Sequence, residues 1–175
     1  MRFLRLDAIA DGWNLQGQSD TRPFPLPSSP MSILLLVAPI HPSGAEAVAD
    51  DALMGLWERA QVHGEDLIWR ACADIEQVTD CLAGRQAASA DLILMDVDAD
   101  AIPETQVAPL RRALNALNVP LIEIHADSRA GDLATISPAH PSLVSVTTPG
   151  NPAAGYEMAL SIGLRYLARN RQMAA

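Results

Sequence analysis

The chain has 175 residues, of which 49% are hydrophobic and 19% charged, so it is long enough to bury about two thirds of its unfolded surface in one core. Its formal net charge of -9, from 21 acidic and 12 basic side chains, disfavours a nucleic-acid partner, because affinity for a phosphate backbone comes largely from Lys and Arg. No stretch approaches the ~18 continuous apolar residues of a membrane span, nor is there a signal-peptide core near the start, so we expect a cytoplasmic protein with no membrane partner.

Residues 1–30 show no sustained hydrophobic period and end in a proline cluster. The cluster comprises Pro23, Pro25, Pro27 and Pro30. Such a segment gains little free energy by packing, which predicts a flexible Pro-rich N-terminal tail over residues 1–30. Met31 then opens a continuous apolar run, and translation could also start there. Residues 31–175 form the predicted domain.

Beyond Met31, short apolar runs alternate with amphipathic stretches, which is the pattern of βαβ units in a mostly parallel sheet with helices on both faces. The predicted strands are Ile33–Val37, Asp66–Arg70, Leu92–Val97, Leu121–His125 and Leu143–Thr147. The predicted helices are Ala45–Val62, Ile75–Arg85, Pro109–Leu117 and Ala153–Arg169. The connection after the fourth strand holds Gly131, Pro138 and Pro141, and we expect at most one helical turn there.

Ligands of open parallel sheets bind at the carboxyl ends of the strands. The third strand ends there with Asp96, Asp98 and Asp100, whose oxygens could hold a divalent cation or take part in phosphoryl chemistry. The segment is not an EF-hand calcium loop, because the sixth and twelfth positions counted from Asp96 are Ala101 and Val107 rather than Gly and Glu. A solvated acidic loop is the plainer alternative.

The fourth predicted strand ends with a carboxylate and an imidazole at alternate positions, Glu123 and His125. Alternate residues of an extended chain point to the same face. A carboxylate beside an imidazole can fix its tautomer and raise its pKa, which prepares a general acid or base. A His that closes a strand with ordinary hydrogen bonds is the alternative.

Metal and cofactor signals are weak in the sequence. His41 could approach His125 and form a metal-binding pair. Cys72 and Cys81 have no CxxC spacing and no His at zinc-finger spacing, so both are predicted to be buried, reduced thiols. The sequence therefore predicts neither a metal nor a cofactor.

Four segments carry a resemblance to one known family: Ile33–Pro39, Ala90–Met95, Val119–His125 and Ala154–Leu160. Together they resemble type II 3-dehydroquinate dehydratase (dehydroquinase). Ile33–Pro39 (ILLLVAP) is similar to the first strand and turn of that family, and Ala90–Met95 (ADLILM) to its strand introduced by Ala-Asp. Val119–His125 (VPLIEIH) is the most specific match, to the family's I-P-V-I-E-V-H, and Ala154–Leu160 (AGYEMAL) is similar to its G-Y-L-L-A-L helix start. The resemblance runs from Ile33 to about Leu167.

The resemblance implies an α/β fold, a flavodoxin-like three-layer sandwich with a five-stranded parallel sheet. It also implies a cofactor-free dehydration of 3-dehydroquinate through an enolate, a small carboxylic-acid ligand, and a homo-oligomer that is a trimer or a dodecamer. The family uses a lid Tyr as base beside an Arg, an Asn in the first loop, a His after the third strand, and the His that ends the fourth.

Only the last of these groups carries over, as His125 with Glu123. The lid segment between Gly44 and Leu53 (AEAVADDA) contains neither Tyr nor Arg, and Pro42 stands at the Asn position. The segment after the third strand lacks the second His. Such groups contribute factors of about 10² to 10⁴ each.

The predicted function is therefore a divergent, dehydratase-like relative without normal dehydratase activity, acting as a non-catalytic subunit or on an altered ligand. An active dehydratase or related small-acid lyase that uses His125 is the alternative. The predicted site has His125 and Glu123 as catalytic groups, with Asp127, Ser128 and Arg129 binding the ligand.

A receiver-like signalling domain is a third alternative. Asp91–Val97 (DLILMDV) is similar to the phosphoacceptor strand of response regulators, which would make Asp96 the phosphoacceptor. Against it, the first strand ends in Ala38 and Pro39 rather than an acidic pair, and the chain contains no lysine.

Overall fold

A computed structural model describes residues 31–37, 50–125, 127 and 129–174. Within them the strands are β1 (Met31–Val37), β2 (Glu65–Ala71), β3 (Leu92–Asp96), β4 (Leu121–His125) and β5 (Val144–Thr147). The α-helices are α1 (Asp50–Val62), α2 (Ile75–Ala83), α3 (Arg85–Ser89), α4 (Glu104–Ala116) and α5 (Pro152–Ala174). Two 3₁₀ turns lie at Ala99–Ala101 and Leu133–Thr135. The predicted tail, residues 1–30, and His41 lie outside the described residues.

The five strands form one parallel sheet with the order β2-β1-β3-β4-β5. This confirms the predicted α/β class with a parallel sheet, and the order is consistent with the flavodoxin-like arrangement. β3 and β4 are buried along their whole length, as expected of apolar strands covered on both faces. Because Asp96 pairs with Ile124, the last residues of β3 and β4 lie side by side at the carboxyl edge.

Helices cover both faces of the sheet, and each face has its own hydrophobic cluster. On one face α2, α3 and α4 pack on alternate strand residues such as Ile93, Met95 and Leu121. On the other face α1 and α5 pack on the intervening residues, including Leu94 and Ile122. The period of two along each strand thus sends neighbouring apolar side chains into different cores.

Three details differ from the predicted elements. α4 begins at Glu104 and not at Pro109, because the Gln106 amide already donates a hydrogen bond to the Pro103 carbonyl. Pro109 lies inside the helix, and the buried residues of α4 that follow it include Leu110. α5 runs five residues beyond Arg169. Trp57 lies in the apolar pattern of α1, which predicts a core position, but it is 44% exposed, because α1 packs on the sheet through other apolar residues such as Leu56 and Ala60.

No helix in the described ranges has the length and apolar character needed to cross a bilayer.

Candidate functional site

The centre of the site is a buried pair at the carboxyl end of β4. Nε2 of His125 lies 3.2 Å from Oε2 of Glu123, as expected for alternate strand residues on one face. Both side chains point toward the face covered by α2 and α4, which they share with Leu121. They are deeply enclosed, because Glu123 is 0% and His125 3% exposed. The sequence correctly predicts that the two groups meet, but not that they are sealed from solvent.

The chain after β4 folds back over this pair and adds a second carboxylate. The amide of Leu133 donates a hydrogen bond of 2.9 Å to Oε2 of Glu123. Its neighbour Asp132 places Oδ1 3.5 Å from Nε2 of His125. The Ser145 hydroxyl of β5 donates to the same oxygen of Asp132. Asp132 is 60% exposed, so it forms the solvent side of a three-residue cluster.

Hydrogen bonding shifts both buried groups toward their charged forms. Burial by itself raises the pKa of the Glu123 carboxyl, but the hydrogen bonds from His125 and the Leu133 amide, together with the nearby Ser142 side chain, outweigh it, and the net shift is downward. The hydrogen bond to Glu123 raises the pKa of His125 more than burial lowers it, and the charge of Asp132 adds to the increase. The pair therefore favours carboxylate and imidazolium, as a strongly coupled ion pair does.

The second ring nitrogen of His125 is also buried. Nδ1 makes no hydrogen bond with the described residues. A buried ring nitrogen without a partner is uncommon in folded proteins, and it suggests a group that the chain itself does not supply. Because Glu123 holds Nε2, Nδ1 is the ring nitrogen of His125 that has no partner among the described residues.

The carboxylates at the end of β3 and just after it have different hydrogen-bond partners. Asp96 ends β3 on the opposite face from His125 and accepts a hydrogen bond from the hydroxyl of Tyr156. Asp98 caps the 3₁₀ turn, accepting from the amide of Asp100 at 2.9 Å. It also accepts from the amide of Gly131 at 2.9 Å. Among the described residues, these three carboxylates do not form a metal-binding group, so the structure favours the solvated acidic loop over the cation site that the sequence left open.

Asp98 and Gly131 hold the chain after β4 in place. Besides the Gly131 amide bond to Asp98, the Ala99 amide donates to the Gly131 carbonyl at 3.1 Å. A Cβ at position 131 would lie 2.6 Å from Cγ of Asp100 and 3.0 Å from its backbone nitrogen, so any larger residue would have to displace the Asp100 side chain. This contact directly precedes Asp132 and Leu133 in the chain, and it therefore fixes the position of both groups that cover Glu123 and His125.

The predicted ligand-binding residues lie on the surface side of this chain segment. The Arg129 amide donates to Oδ1 of Asp127 at 3.0 Å, so that carboxylate closes a local turn. Both side chains are exposed, and within the described residues the Arg129 guanidinium makes no hydrogen bond or ion pair. Ser128 lies outside the described residues. The structure therefore does not bring Asp127 or Arg129 into contact with His125.

A cleft of about 390 Å³ lies elsewhere on the carboxyl edge, between the start of α2 and the start of α4. It is lined by Ala73, Asp74, Ile75, Glu76, Ala101, Pro103 and Gln106. His125 is not among its lining residues. The Asp74 carboxylate in this cleft accepts a hydrogen bond from the Gln77 amide and so caps α2, whereas the coupled carboxylate–imidazole pair lies at the end of β4.

Sequence reasoning missed Asp132 and the amide of Leu133. Asp132 follows His125 by seven positions in an irregular segment with Gly131 beside it, and no strand or helix period relates the two. Gly131 next to Asp132 predicts a turn, but the pattern does not indicate which strand that turn packs against.

Comparisons with known proteins agree with the architecture. No protein-family model matches the sequence, and no curated protein matches it either. Among solved structures, a 3-dehydroquinate dehydratase-like protein from Bifidobacterium longum has a TM-score of 0.55 and 19% identity, with 78% of this chain and 98% of that one covered. The type II dehydroquinase from Propionibacterium acnes has a TM-score of 0.52 and 23% identity, with 77% and 98% covered.

A response regulator in red light signaling of R. palustris has a TM-score of 0.45 and 18% identity, too weak a likeness to bear on fold or function. The two dehydratase-type structures are of the same kind as the family that the sequence motifs resemble. At these identities the likeness establishes that this chain has their fold over nearly their whole length.

Proposed function

We propose that the chain is a divergent relative of type II 3-dehydroquinate dehydratase that has lost normal dehydratase activity and serves as a non-catalytic or altered-ligand protein. The observation that carries the proposal is the state of the Glu123–His125 pair. It stands at the end of β4, where the motif resemblance places a catalytic His, yet it is buried and faces a second carboxylate from Asp132.

Both tyrosines of the chain pack in the hydrophobic cluster on the face of the sheet opposite His125, so neither is placed to act as an enolate-forming base beside it. The sequence has two tyrosines, Tyr156 and Tyr166, and both lie on α5. Burial, followed by the charge of Asp96, raises the pKa of Tyr156 far above its ordinary value, whereas a tyrosine base needs a lowered one. The Tyr156 hydroxyl also donates a hydrogen bond to Asp96, on the face of the sheet opposite His125.

The charges near the site oppose a carboxylate substrate. Glu123, Asp132 and Asp96 surround His125 closely enough to raise its pKa. A small carboxylic acid would need a cation to offset them, and in the chain after β4 that cation is Arg129, exposed beside Asp127. One flexible, solvated guanidinium gives a weak anion site compared with a buried bidentate pair. We therefore propose weakened binding of 3-dehydroquinate.

A steady-state assay of enone formation from 3-dehydroquinate tests the proposal. The P. acnes type II dehydroquinase serves as positive control under the same conditions. We expect no rate above background, and the same result for His125→Gln, provided that circular dichroism shows both proteins folded. Measurable turnover that His125→Gln abolishes would contradict the proposal and make the chain an active lyase.

We also propose that the chain keeps the homo-oligomer of its relatives, a trimer or a dodecamer. Particle mass from light scattering tests this part separately, because an inactive protein can retain its assembly. A monomer at micromolar concentration would contradict it.

A further inference from the structure

We propose that Glu123, His125 and Asp132 form a binding site for a divalent transition-metal ion, with Zn²⁺ as the best-suited ion. This inference goes beyond the proposed function and does not depend on it. One ligand atom from each of the three side chains lies within 4.8 Å of the other two.

The spacing of these atoms suits a metal ion. Nε2 of His125 is 3.2 Å from Oε2 of Glu123 and 3.5 Å from Oδ1 of Asp132. In a tetrahedral zinc site with bonds of about 2.0–2.1 Å, neighbouring ligand atoms lie about 3.3–3.4 Å apart. The two distances from Nε2 lie on either side of that value, and the two carboxylate oxygens lie within 4.8 Å of each other, so the three atoms are close enough together to surround one ion.

The ligand types select the class of ion. One imidazole with two carboxylates is a nitrogen–oxygen set that suits Zn²⁺ and its first-row neighbours, whereas Ca²⁺ and Mg²⁺ prefer oxygen ligands alone. Three protein ligands with one exposed side also match the arrangement of zinc sites that keep a position for water or a small ligand. Asp132, 60% exposed, marks that open side.

The buried charges supply the second, independent observation. Glu123 is fully buried, and its Oε1 receives no hydrogen bond of good geometry from the described residues, although Ser142 is near enough to affect its pKa. With Asp132 the cluster carries two negative charges, and the imidazole can offset at most one. Asp132 is 60% exposed, so water screens part of its charge, whereas Oε1 of the buried Glu123 has no hydrogen-bond partner among the described residues. Leaving a buried carboxylate oxygen unpaired is costly, and a dication with a neutral imidazole would balance both carboxylates.

The surrounding groups already orient the ligands. The Leu133 amide holds Oε2 of Glu123, and the Ser145 hydroxyl holds Oδ1 of Asp132. A carboxylate oxygen can accept such a bond and still offer a lone pair to a metal. Hydrogen bonds of this kind fix ligand geometry in metal sites. Without an ion, the same three side chains form a protonated ion-pair cluster, and this is the alternative that the experiment must distinguish.

The test is metal titration of the full chain after chelator treatment and dialysis. We expect isothermal titration calorimetry to show one Zn²⁺ per chain, and Co²⁺ to give a visible absorption spectrum without thiolate charge-transfer bands. Asp132→Asn alters the exposed ligand and should leave folding intact. Loss of a ligand should weaken binding by at least ~100-fold, more than the 10- to 100-fold typical of supporting residues.

Asp100→Asn is the matched control, since Asp100 is an exposed carboxylate in the neighbouring turn, and its affinity for Zn²⁺ should equal that of the wild type. His125→Gln, with folding checked by circular dichroism, tests the nitrogen ligand and should also abolish the Co²⁺ spectrum. The proposal fails if the wild type shows no saturable binding, if Asp132→Asn binds as tightly as Asp100→Asn, or if thiolate bands place the ion at Cys72 and Cys81.

Discussion

The hydroxyl group of Tyr156 donates a hydrogen bond to Oδ2 of Asp96 and so ties the N-terminal part of α5 to the last residue of β3. The two residues are 60 positions apart in the sequence. Tyr156 is buried and Asp96 is 9% exposed, and the Tyr156 ring also packs edge-to-face on Trp69 of β2. This one side chain therefore links three elements on the face of the sheet away from His125.

Removing that hydroxyl should destabilise the fold. Tyr156→Phe keeps the ring packing but deprives the buried Asp96 carboxylate of a donor, and such a loss costs about 1–3 kcal/mol. Tyr166→Phe is the matched control on the same helix, with an expected change within about 0.5 kcal/mol. Urea denaturation followed by circular dichroism measures both, and equal midpoints for the two variants would contradict the prediction.

Asp96 should resist phosphorylation. Its carboxylate is nearly buried and engaged by Tyr156, so a phosphoryl donor cannot approach in line without displacing α5. We expect no covalent phosphate on the intact protein after incubation with acetyl phosphate, as judged by mass spectrometry. A mass increase of one phosphoryl group that disappears in Asp96→Asn would support the receiver-like alternative instead.

The architecture could be predicted because it is encoded locally. The strands β3 and β4 are continuous apolar runs, and α5 repeats buried positions such as Leu160, Leu164 and Leu167 at helical spacing. The meeting of Glu123 and His125 follows from the two-residue period of a strand. These features need only neighbouring residues, so reading along the chain recovers them.

The covering of the site could not be predicted in this way. It depends on the Asp98–Gly131 hydrogen bond, whose partners are 33 residues apart, and on the fit of a glycine against Asp100. No periodic pattern relates these positions. For the same reason the sequence reveals neither the approach of Asp132 to His125 nor the burial of His125.

Two glycine-to-alanine substitutions should have opposite effects. A Cβ on Gly163 of α5 would fall well inside van der Waals contact with Cδ2 of the buried Leu92, and overpacking of this kind costs about 1–3 kcal/mol. Gly55 of α1 has no atom within 4 Å of the added Cβ, so Gly55→Ala should stabilise the protein by about 0.5–1 kcal/mol through helix propensity. Thermal unfolding of the pair checks both signs; destabilisation by both substitutions would contradict the assignment of Gly55 to an open helix surface.

The amino edge of the sheet should give stability a pH dependence through Glu65. This carboxyl is 1% exposed at the start of β2, and Arg171 of α5 forms an ion pair with Oε1. Burial raises the pKa of Glu65 above 4.5, the charge of Asp91 adds to the increase, and Arg171 only partly offsets it. The folded state therefore binds this proton more tightly than the unfolded state does.

Stability from this group is fully present below pH 4.5, the ordinary value, and is lost as the pH rises through the folded pKa, with a slope of at most about 1.4 kcal/mol per pH unit. Glu65→Gln should remove this slope, so the difference in melting temperature between wild type and variant should change across that window. Arg171→Gln removes the group that lowers the pKa of Glu65 and should extend the loss to higher pH. Melting temperatures measured from pH 4 to pH 8 for the three proteins decide the matter: a constant difference between wild type and Glu65→Gln would mean that Glu65 titrates alike in both states.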